Sequence, residues 1–233
     1  MAVTPELLSI FAIFKPLPGP VLAELAIHAT LSKFARRGVV LRAGETEDHI
    51  CLLFEGRLQG VDFTIDGREV GLYFVEPGEF CGELGIFDQG PQPEFVIALT
   101  PAVVVCVPMT SLRELLLKAP SVVNVLGQKL ATRVRQMIFQ RSLLALPSVP
   151  QKVCCQLWGL VREIDKKSIT PVKINNPPTH MEIAIMLNLS RETVTRVFQT
   201  LQNRQIVKRD GSALLLVNDV AALEKLANGG ESL

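Results

Sequence analysis

Apolar residues change their spacing twice along this chain. Residues 4 to 30 carry helical spacing, at Val21, Leu22, Leu25 and Ala26, after a break at Leu17-Pro18-Gly19-Pro20. From 31 to 107, short β-rich runs alternate with turn signals: Arg37-Gly38, Ala43-Gly44-Glu45, Glu55-Gly56, Asp66-Gly67, Pro77-Gly78, the segment 88 to 93, and Thr100-Pro101. Such regular punctuation predicts an antiparallel roll or sandwich. Asp66-Gly67, between Val61 and Val70, predicts a tight hairpin because the dipeptide tolerates positive φ. Helical spacing then returns, in a short helix over 111 to 117 and a long one from 121 to about 146.

Along the long helix Val123, Leu130, Met137 and Leu144 recur every seven residues, with Leu126, Val134 and Ile138 beside them and Lys129, Arg133 and Arg135 flanking. Arg141 and Gly127 interrupt the pattern. The seam either packs on its own domain or meets a second copy in a parallel dimer. A long seven-residue repeat suits the second arrangement, so these seven apolar residues are the candidate dimerisation set. Leu146-Pro147-Ser148-Val149-Pro150 cannot continue a helix unbroken and predicts a hinge, after which Ser148 caps a helix over 151 to 164.

Beyond a loop over 165 to 178, Thr179 and Glu182 have capping-box spacing at the start of a helix over 181 to 187. A turn at Asn188-Leu189 leads to Ser190, which caps a second helix over 191 to 203 with Val194, Val197, Phe198 and Leu201 on its apolar face. Residues 206 to 209, Asp210-Gly211 and 213 to 217 read as a small hairpin. Two short helices, a sharp turn and a wing form a winged helix-turn-helix, whose second helix enters the major groove. Its polar N-terminal residues suit base reading. An arginine fork donates to guanine O6 and N7, and a carboxylate accepts from the cytosine amino group. Glu192, set between Arg191 and Arg196, would be repelled by phosphate, so its position favours base-specific contact over unspecific phosphate binding.

The expected class is α+β, with a β-roll sensor domain over 1–118, a dimerisation helix and hinge over 119–147, and a DNA-binding domain over 148–233. Charge permits this division. From Ser148 onward there are 11 Lys and Arg against 8 Asp and Glu, leaving 13 against 15 before it. Five cysteines, Cys51, Cys81, Cys106, Cys154 and Cys155, are odd in number and lack a CxxC pair, so buried thiols are expected rather than disulfides or zinc. No run approaches the ~18 apolar residues of a membrane span and no signal peptide opens the chain, which predicts a cytoplasmic protein. His28, His49 and His180 lack partners for catalysis, and no Walker or Rossmann glycine pattern occurs. No catalytic residue, metal site or cofactor is expected.

Leu189-Ser190-Arg191-Glu192-Thr193-Val194-Thr195-Arg196 resembles the recognition-helix signature of the cyclic-AMP receptor protein/FNR (Crp/Fnr) regulators, and Glu76-Pro77-Gly78-Glu79-Phe80-Cys81-Gly82-Glu83-Leu84-Gly85-Ile86-Phe87 resembles the phosphate-binding cassette of their cyclic-nucleotide-binding roll. The likeness runs from about Leu31 to Val217. It implies a transcription regulator with Arg191, Glu192 and Arg196 reading half-sites of the TGTGA kind in an inverted repeat, and with Thr179, His180, Ser190, Thr193 and Thr195 on the DNA-binding surface. Thr195 stands where the cyclic-AMP branch has glycine and looks more like the serine of the FNR branch.

The same likeness argues against cyclic AMP as effector. The cassette's phosphate-binding arginine and serine fall on Pro93 and Glu94, no arginine lies between Arg68 and Arg113, and the adenine-contacting pair falls on Met137 and Ile138. Gly82, Glu83 and Leu84 remain as candidate effector contacts. An iron-sulfur cluster is excluded by the lack of N-terminal cysteines, and a haem site at Cys81 is disfavoured because no histidine follows closely. Apolar neighbours such as Phe80, Val105 and Val107 suggest inert thiols at Cys81 and Cys106. Double-stranded DNA, a second copy of the chain and RNA polymerase are the expected partners. Two alternatives stand beside this reading: a roll that senses a ligand and docks on a protein partner, and a regulator under an unidentified small-molecule effector.

Overall fold

The computed structural model describes residues 2–164, 171–211, 213–231 and 233. The chain divides into two compact units, residues 1–68 with 72–136, and residues 137–233 with 69–71.

Helices α1 (Pro5–Ser9) and α2 (Gly19–His28) open the first unit, followed by strands β1 (Thr30–Phe34), β2 (Val39–Leu41), β3 (His49–Glu55), β4 (Leu58–Phe63), β5 (Glu69–Val75) and β6 (Phe80–Cys81). Next come α3 (Leu84–Asp88), β7 (Phe95–Ala98), β8 (Ala102–Pro108), α4 (Met109–Lys118) and the long α5 (Pro120–Leu144), which begins in the first unit and ends in the second. The strands form two four-stranded sheets, in the orders β1-β8-β3-β6 and β2-β7-β4-β5.

Period-two alternation in β3 and β8 divides the core of this unit. Cys51, Leu53, Val104 and Cys106 face Leu41, Leu58, Val75, Val96 and Ala98 of the other sheet, which fills the roll. Their neighbours Ile50, Leu52, Val105 and Val107 pack instead against Leu8, Leu112, Val122 and Leu126 of the helices and against Phe11 and Phe14 of the turn between α1 and α2. Gly67, at φ 79°, turns the expected hairpin between β4 and β5, where the Thr64 N–H donates to the Arg68 carbonyl at 3.0 Å.

After Leu144 the second unit contains α6 (Val149–Ile164), β9 (Val172–Asn175), α7 (His180–Leu187), α8 (Arg191–Asn203), β10 (Val207–Asp210), β11 (Leu214–Val217) and α9 (Val220–Ala227). The sheet order is β10-β11-β9. Leu157, Val161, Ile174, Ile183, Leu187, Phe198, Leu201, Leu215 and Leu223 are among the residues of its core.

Several boundaries differ from those expected. The first helical stretch is two helices, with Pro18 before α2 and Gly19 and Pro20 in its first turn, where proline's missing N–H is harmless. Pro150 likewise lies in the first turn of α6 rather than in the linker, while Ser148 Oγ does accept from the Gln151 N–H at 3.3 Å. The loop over 165–178 contains β9, whose Val172 and Ile174 alternate with Lys173 and Asn175 against β11. Four residues are too few to betray that period. The first part of the loop, 165–170, lies outside the described residues. Two further helices were not anticipated: α3, only five residues long, and α9, which Asp219 caps through a 2.8 Å bond from the Ala222 N–H. Among the described residues, no helix is long and apolar enough to cross a membrane.

Candidate nucleic-acid interface and roll interior

The capping box at α7 forms as its spacing predicts: Thr179 Oγ1 accepts from the Glu182 N–H at 3.2 Å, and Glu182 Oε2 accepts from the Thr179 N–H at 2.9 Å. Asn188 ends α7 in the left-handed region, φ 52° and ψ 48°, a conformation asparagine tolerates, and so makes the sharp turn. Ser190 then caps α8, accepting from the Thr193 N–H at 3.1 Å and sharing a 2.9 Å bond with the Thr193 hydroxyl.

Val194, Val197, Phe198 and Leu201 are buried on the inner face of α8, which leaves Arg191, Glu192 and Arg196 exposed near its N-terminus. The Glu192 carboxyl is held below the usual range, first by its own backbone N–H, then by Ser190 and by the charges of Arg191 and Arg196. The surface therefore carries two guanidinium forks around an ionised acceptor, placed at the positive end of a 13-residue helix.

Two of the expected DNA-binding residues also have structural work. Thr195 donates its hydroxyl to the Arg191 carbonyl at 2.8 Å and lies 3.0 Å from His180 Nδ1. With the hydroxyl proton committed, Nδ1 must donate. His180 also lies against Phe198, centroids 4.3 Å apart, and Nε2 is buried without a partner. Burial and the charges of Arg209 and Arg191 lower its pKa, and the ring ties α7 to α8. Thr179 likewise uses its hydroxyl in the cap. Arg209 of β10, which the sequence did not single out, reaches the Pro178 carbonyl at 3.1 Å just before α7.

Inside the roll, Gly82 is at φ 85° and Glu83 is only 2% exposed, while Leu84 faces outward at 38%. Contrary to the expectation from local sequence, a guanidinium does enter this interior. Arg133, from α5, sets Nε 2.9 Å from Glu83 Oε1, donates Nη2–H to the Phe80 carbonyl at 3.2 Å, and lays its guanidinium 3.5 Å from the Tyr73 ring centroid. The Nε–H finds no aligned acceptor despite that short approach, so the Glu83 contact is an ion pair without a hydrogen bond. Tyr73 donates its hydroxyl to Glu94, which is buried at 8%. Burial pushes the Glu94 carboxyl up, reinforced by the charge of Glu83 and opposed by Tyr73 and Arg133. Tyr73 and Arg133 were missed because they lie 21 and 39 residues from Glu94, on β5 and α5, outside the cassette.

Of the seven seam residues, Val123, Val134, Met137 and Ile138 are exposed, at 41%, 55%, 60% and 62%. Leu130 and Leu144 are half-buried. Leu126 departs from the expectation: four residues after Val122, it is fully buried in the core of its own unit and cannot reach a partner. The cysteines are all free, and all but the half-buried Cys155 are buried, as expected.

Residues 31–119 match the cyclic nucleotide-binding domain family, and residues 151–226 the Crp-like helix-turn-helix domain family. A curated relative, the CRP-like cAMP-activated global transcriptional regulator of Mycobacterium tuberculosis, is 26% identical over 211 residues, covering 91% of this chain and 94% of the relative. The structure of FixK2 from Bradyrhizobium japonicum superposes with a TM-score of 0.72 at 20% identity, covering 85% of this chain and 96% of that one. A CooA mutant from Carboxydothermus hydrogenoformans gives 0.76 at 14% identity, with coverage of 94% and 95%. With a cyclic-nucleotide-binding roll, a long helix and a Crp-like helix-turn-helix in one chain, this protein belongs to the Crp/Fnr family of DNA-binding transcription regulators.

Proposed function

We propose that the protein binds an inverted-repeat operator as a homodimer, reads each half-site through Arg191, Glu192 and Arg196, and does so without cyclic AMP. The observation that carries the operator reading is the exposed, ionised Glu192 between two exposed arginines on a Ser190-capped helix. A carboxylate there weakens unspecific phosphate binding and suits a specific base contact. Half-sites on successive major grooves, about 34 Å apart, would match the two-fold symmetry of a dimer. Support for the dimer comes from Val123, Val134, Met137 and Ile138, apolar side chains on α5 that the single chain leaves in water.

Independence from cyclic AMP rests on the roll interior. Pro93 brings no charge, and Glu94 and Glu83 set two carboxylates against the one guanidinium of Arg133 where an anionic phosphate would have to lie. The M. tuberculosis relative is described as cAMP-activated; on this reading the chain does not share that activation. RNA polymerase would be the further partner of a DNA-bound regulator in the cytoplasm.

Selection from a random duplex library at a fixed, stated salt concentration, with and without cyclic AMP, tests the reading. An inverted repeat of TGTGA-like half-sites enriched equally in both arms is expected. Enrichment only with the nucleotide would overturn the assignment of Pro93 and Glu94, and enrichment in neither would overturn ligand-free DNA reading.

A further inference from the structure

A second polar group lies in the roll, on the sheet that contains β3. Cys51 sits opposite Cys81 of β6 on one side and Cys106 of β8 on the other. A ring nitrogen of His49 and the sulfurs of Cys51 and Cys106 all lie within 4.8 Å of one another. The two flanking pairs are not equivalent. Met109 N–H donates to the Asp48 carbonyl at 2.7 Å, and alternation along the β3/β8 ladder then makes Ile50/Val107 a hydrogen-bonded pair and Cys51/Cys106 a non-hydrogen-bonded one. Such a pair brings Cα atoms to about 4.5 Å, within disulfide range and with the side chains closest. On the other side the Leu53 N–H donates to Glu79 at 2.9 Å, which puts Cys51/Cys81 in the wider hydrogen-bonded register.

Chemistry separates the same thiols. Cys106 is drawn down to about 5, first by its hydrogen bond to Cys51 and then by His49 against the cost of burial, while Cys51 is pushed up by Cys106, Cys81 and burial. His49 is raised to about 9, first by Cys106; Asp48 Oδ1 at 2.7 Å and Glu47 Oε2 at 3.9 Å add to it. Ser32 Oγ lies 3.9 Å from Cys106 Sγ and also draws the thiol down. One thiolate, one imidazolium and one neutral thiol therefore share the cluster at neutral pH. The His49 side chain is 29% exposed and Cys106 8%, so the cluster meets solvent at His49. Cys154, by contrast, is pushed up to about 12 by burial, the inert thiol that the sequence suggested for Cys106 too.

We propose that Cys106 is a hydroperoxide-reactive thiolate that closes a cross-strand disulfide with Cys51 inside the sensor roll. The thiolate attacks the terminal oxygen of a hydroperoxide, and the O–O bond breaks. The leaving alkoxide takes the imidazolium proton of His49, giving an alcohol and a sulfenic acid on Cys106. The Cys51 thiol then attacks that sulfur, the S–O bond breaks, and the hydroxide leaves as water with the thiol proton. Two electrons pass from the sulfur pair to the hydroperoxide. None of this depends on the operator reading.

Fully reduced, chelator-treated whole protein, exposed to a stoichiometric amount of hydrogen peroxide and alkylated, tests the proposal by peptide mass spectrometry. Two of the five thiols should be lost, with one linkage joining the Cys51 and Cys106 peptides. C51A, which also removes the first cause of the lowered Cys106 pKa, should oxidise more slowly and leave a sulfenic acid on Cys106 that a dimedone-type probe captures, and C106S should leave no oxidised thiol. H49Q should slow oxidation at pH 6 by more than about tenfold, because the thiolate fraction falls. The mapping on the unmutated protein stands even if a variant fails to fold. Five intact thiols, a linkage through Cys81, Cys154 or Cys155, or one equivalent of zinc or copper retained on His49, Cys51 and Cys106 with no peroxide reaction would each overturn the proposal.

Discussion

Replacing Arg133 with Met keeps most of the packing of the side chain and removes its charge, and what it leaves behind fixes the size of the effect. Glu83, 2% exposed, loses the guanidinium 2.9 Å away, and no other cation reaches it among the described residues. Stranding a buried partner typically costs ~3 to 5 kcal/mol. A stranded carboxylate escapes by taking a proton, at ~1.4 kcal/mol for each pH unit above the ordinary glutamate range, which caps the loss near 4 kcal/mol at pH 7 and near 1 kcal/mol at pH 5. Loss of the cation over the Tyr73 ring adds about 0.5 to 2 kcal/mol at either pH. R133M should therefore lower the urea midpoint of the first unit by about 2 M at pH 7, for an m-value near 2 kcal/mol/M, and by much less at pH 5.

Circular dichroism in urea reads this transition, while fluorescence of Trp158, the single tryptophan, separates out the second unit. The double variant E83Q/R133M should recover about 2 kcal/mol or more, since a neutral amide in place of the carboxylate removes the stranded charge. A loss equal at both pH values, or a double variant that costs the sum of the singles, would refute the account of a buried ion pair held in the roll.

Glu192→Ala should reduce discrimination between operator and random duplex by ~1 to 3 kcal/mol with little loss of total affinity, whereas Arg196→Ala should lower both, as read by competition binding at fixed salt. Gly60→Ala would set a methyl 2.5 to 2.9 Å from three atoms of the Tyr73 ring, an overpacking that costs about 1 to 3 kcal/mol and that Y73A in the same chain should relieve, measured by thermal melting. Glu94→Gln should stabilise the first unit increasingly as pH rises. The folded carboxyl has a raised pKa, so the folded state holds more protons than the unfolded one above the ordinary 4.5, and stability falls with pH until the raised value is passed; the amide is free of that loss.

The DNA-binding half was largely legible because its signals are local. A cap lies three residues from its N–H partner and a turn between two helices spans two residues, so Thr179, Glu182, Asn188 and Ser190 announce themselves. The bounds of α8 fall where spacing put them. The contact between Thr195 and His180 was not legible because it joins two helices, and nothing in either helix alone reveals that it forms. The roll was legible as a roll, through its turns, but not in its interior. Strand order and register decide that Cys51 meets Cys106, residues 55 apart, and the path of α5 decides that Arg133 enters. β9 and α9 were missed for different reasons: the first is too short to show a period, whereas Val220, Leu223 and Leu226 carry helical spacing that could have been read.

The interior residues that depart from the family's phosphate site account for one another. A carboxylate buried as deeply as Glu94 needs a donor, and Tyr73 supplies one. The Tyr73 ring in turn occupies the space over residue 60, where any side chain beyond hydrogen would collide with it, and that residue is glycine. The ring also receives the Arg133 guanidinium, whose charge holds Glu83. Gly60, Tyr73, Glu94, Arg133 and Glu83 thus form one connected set in which each residue type meets a need created by the next. Two carboxyl groups, a phenol and one guanidinium are thereby brought together inside the roll. On the proposed reading, that set of charges is what disfavours a cyclic phosphate in the roll.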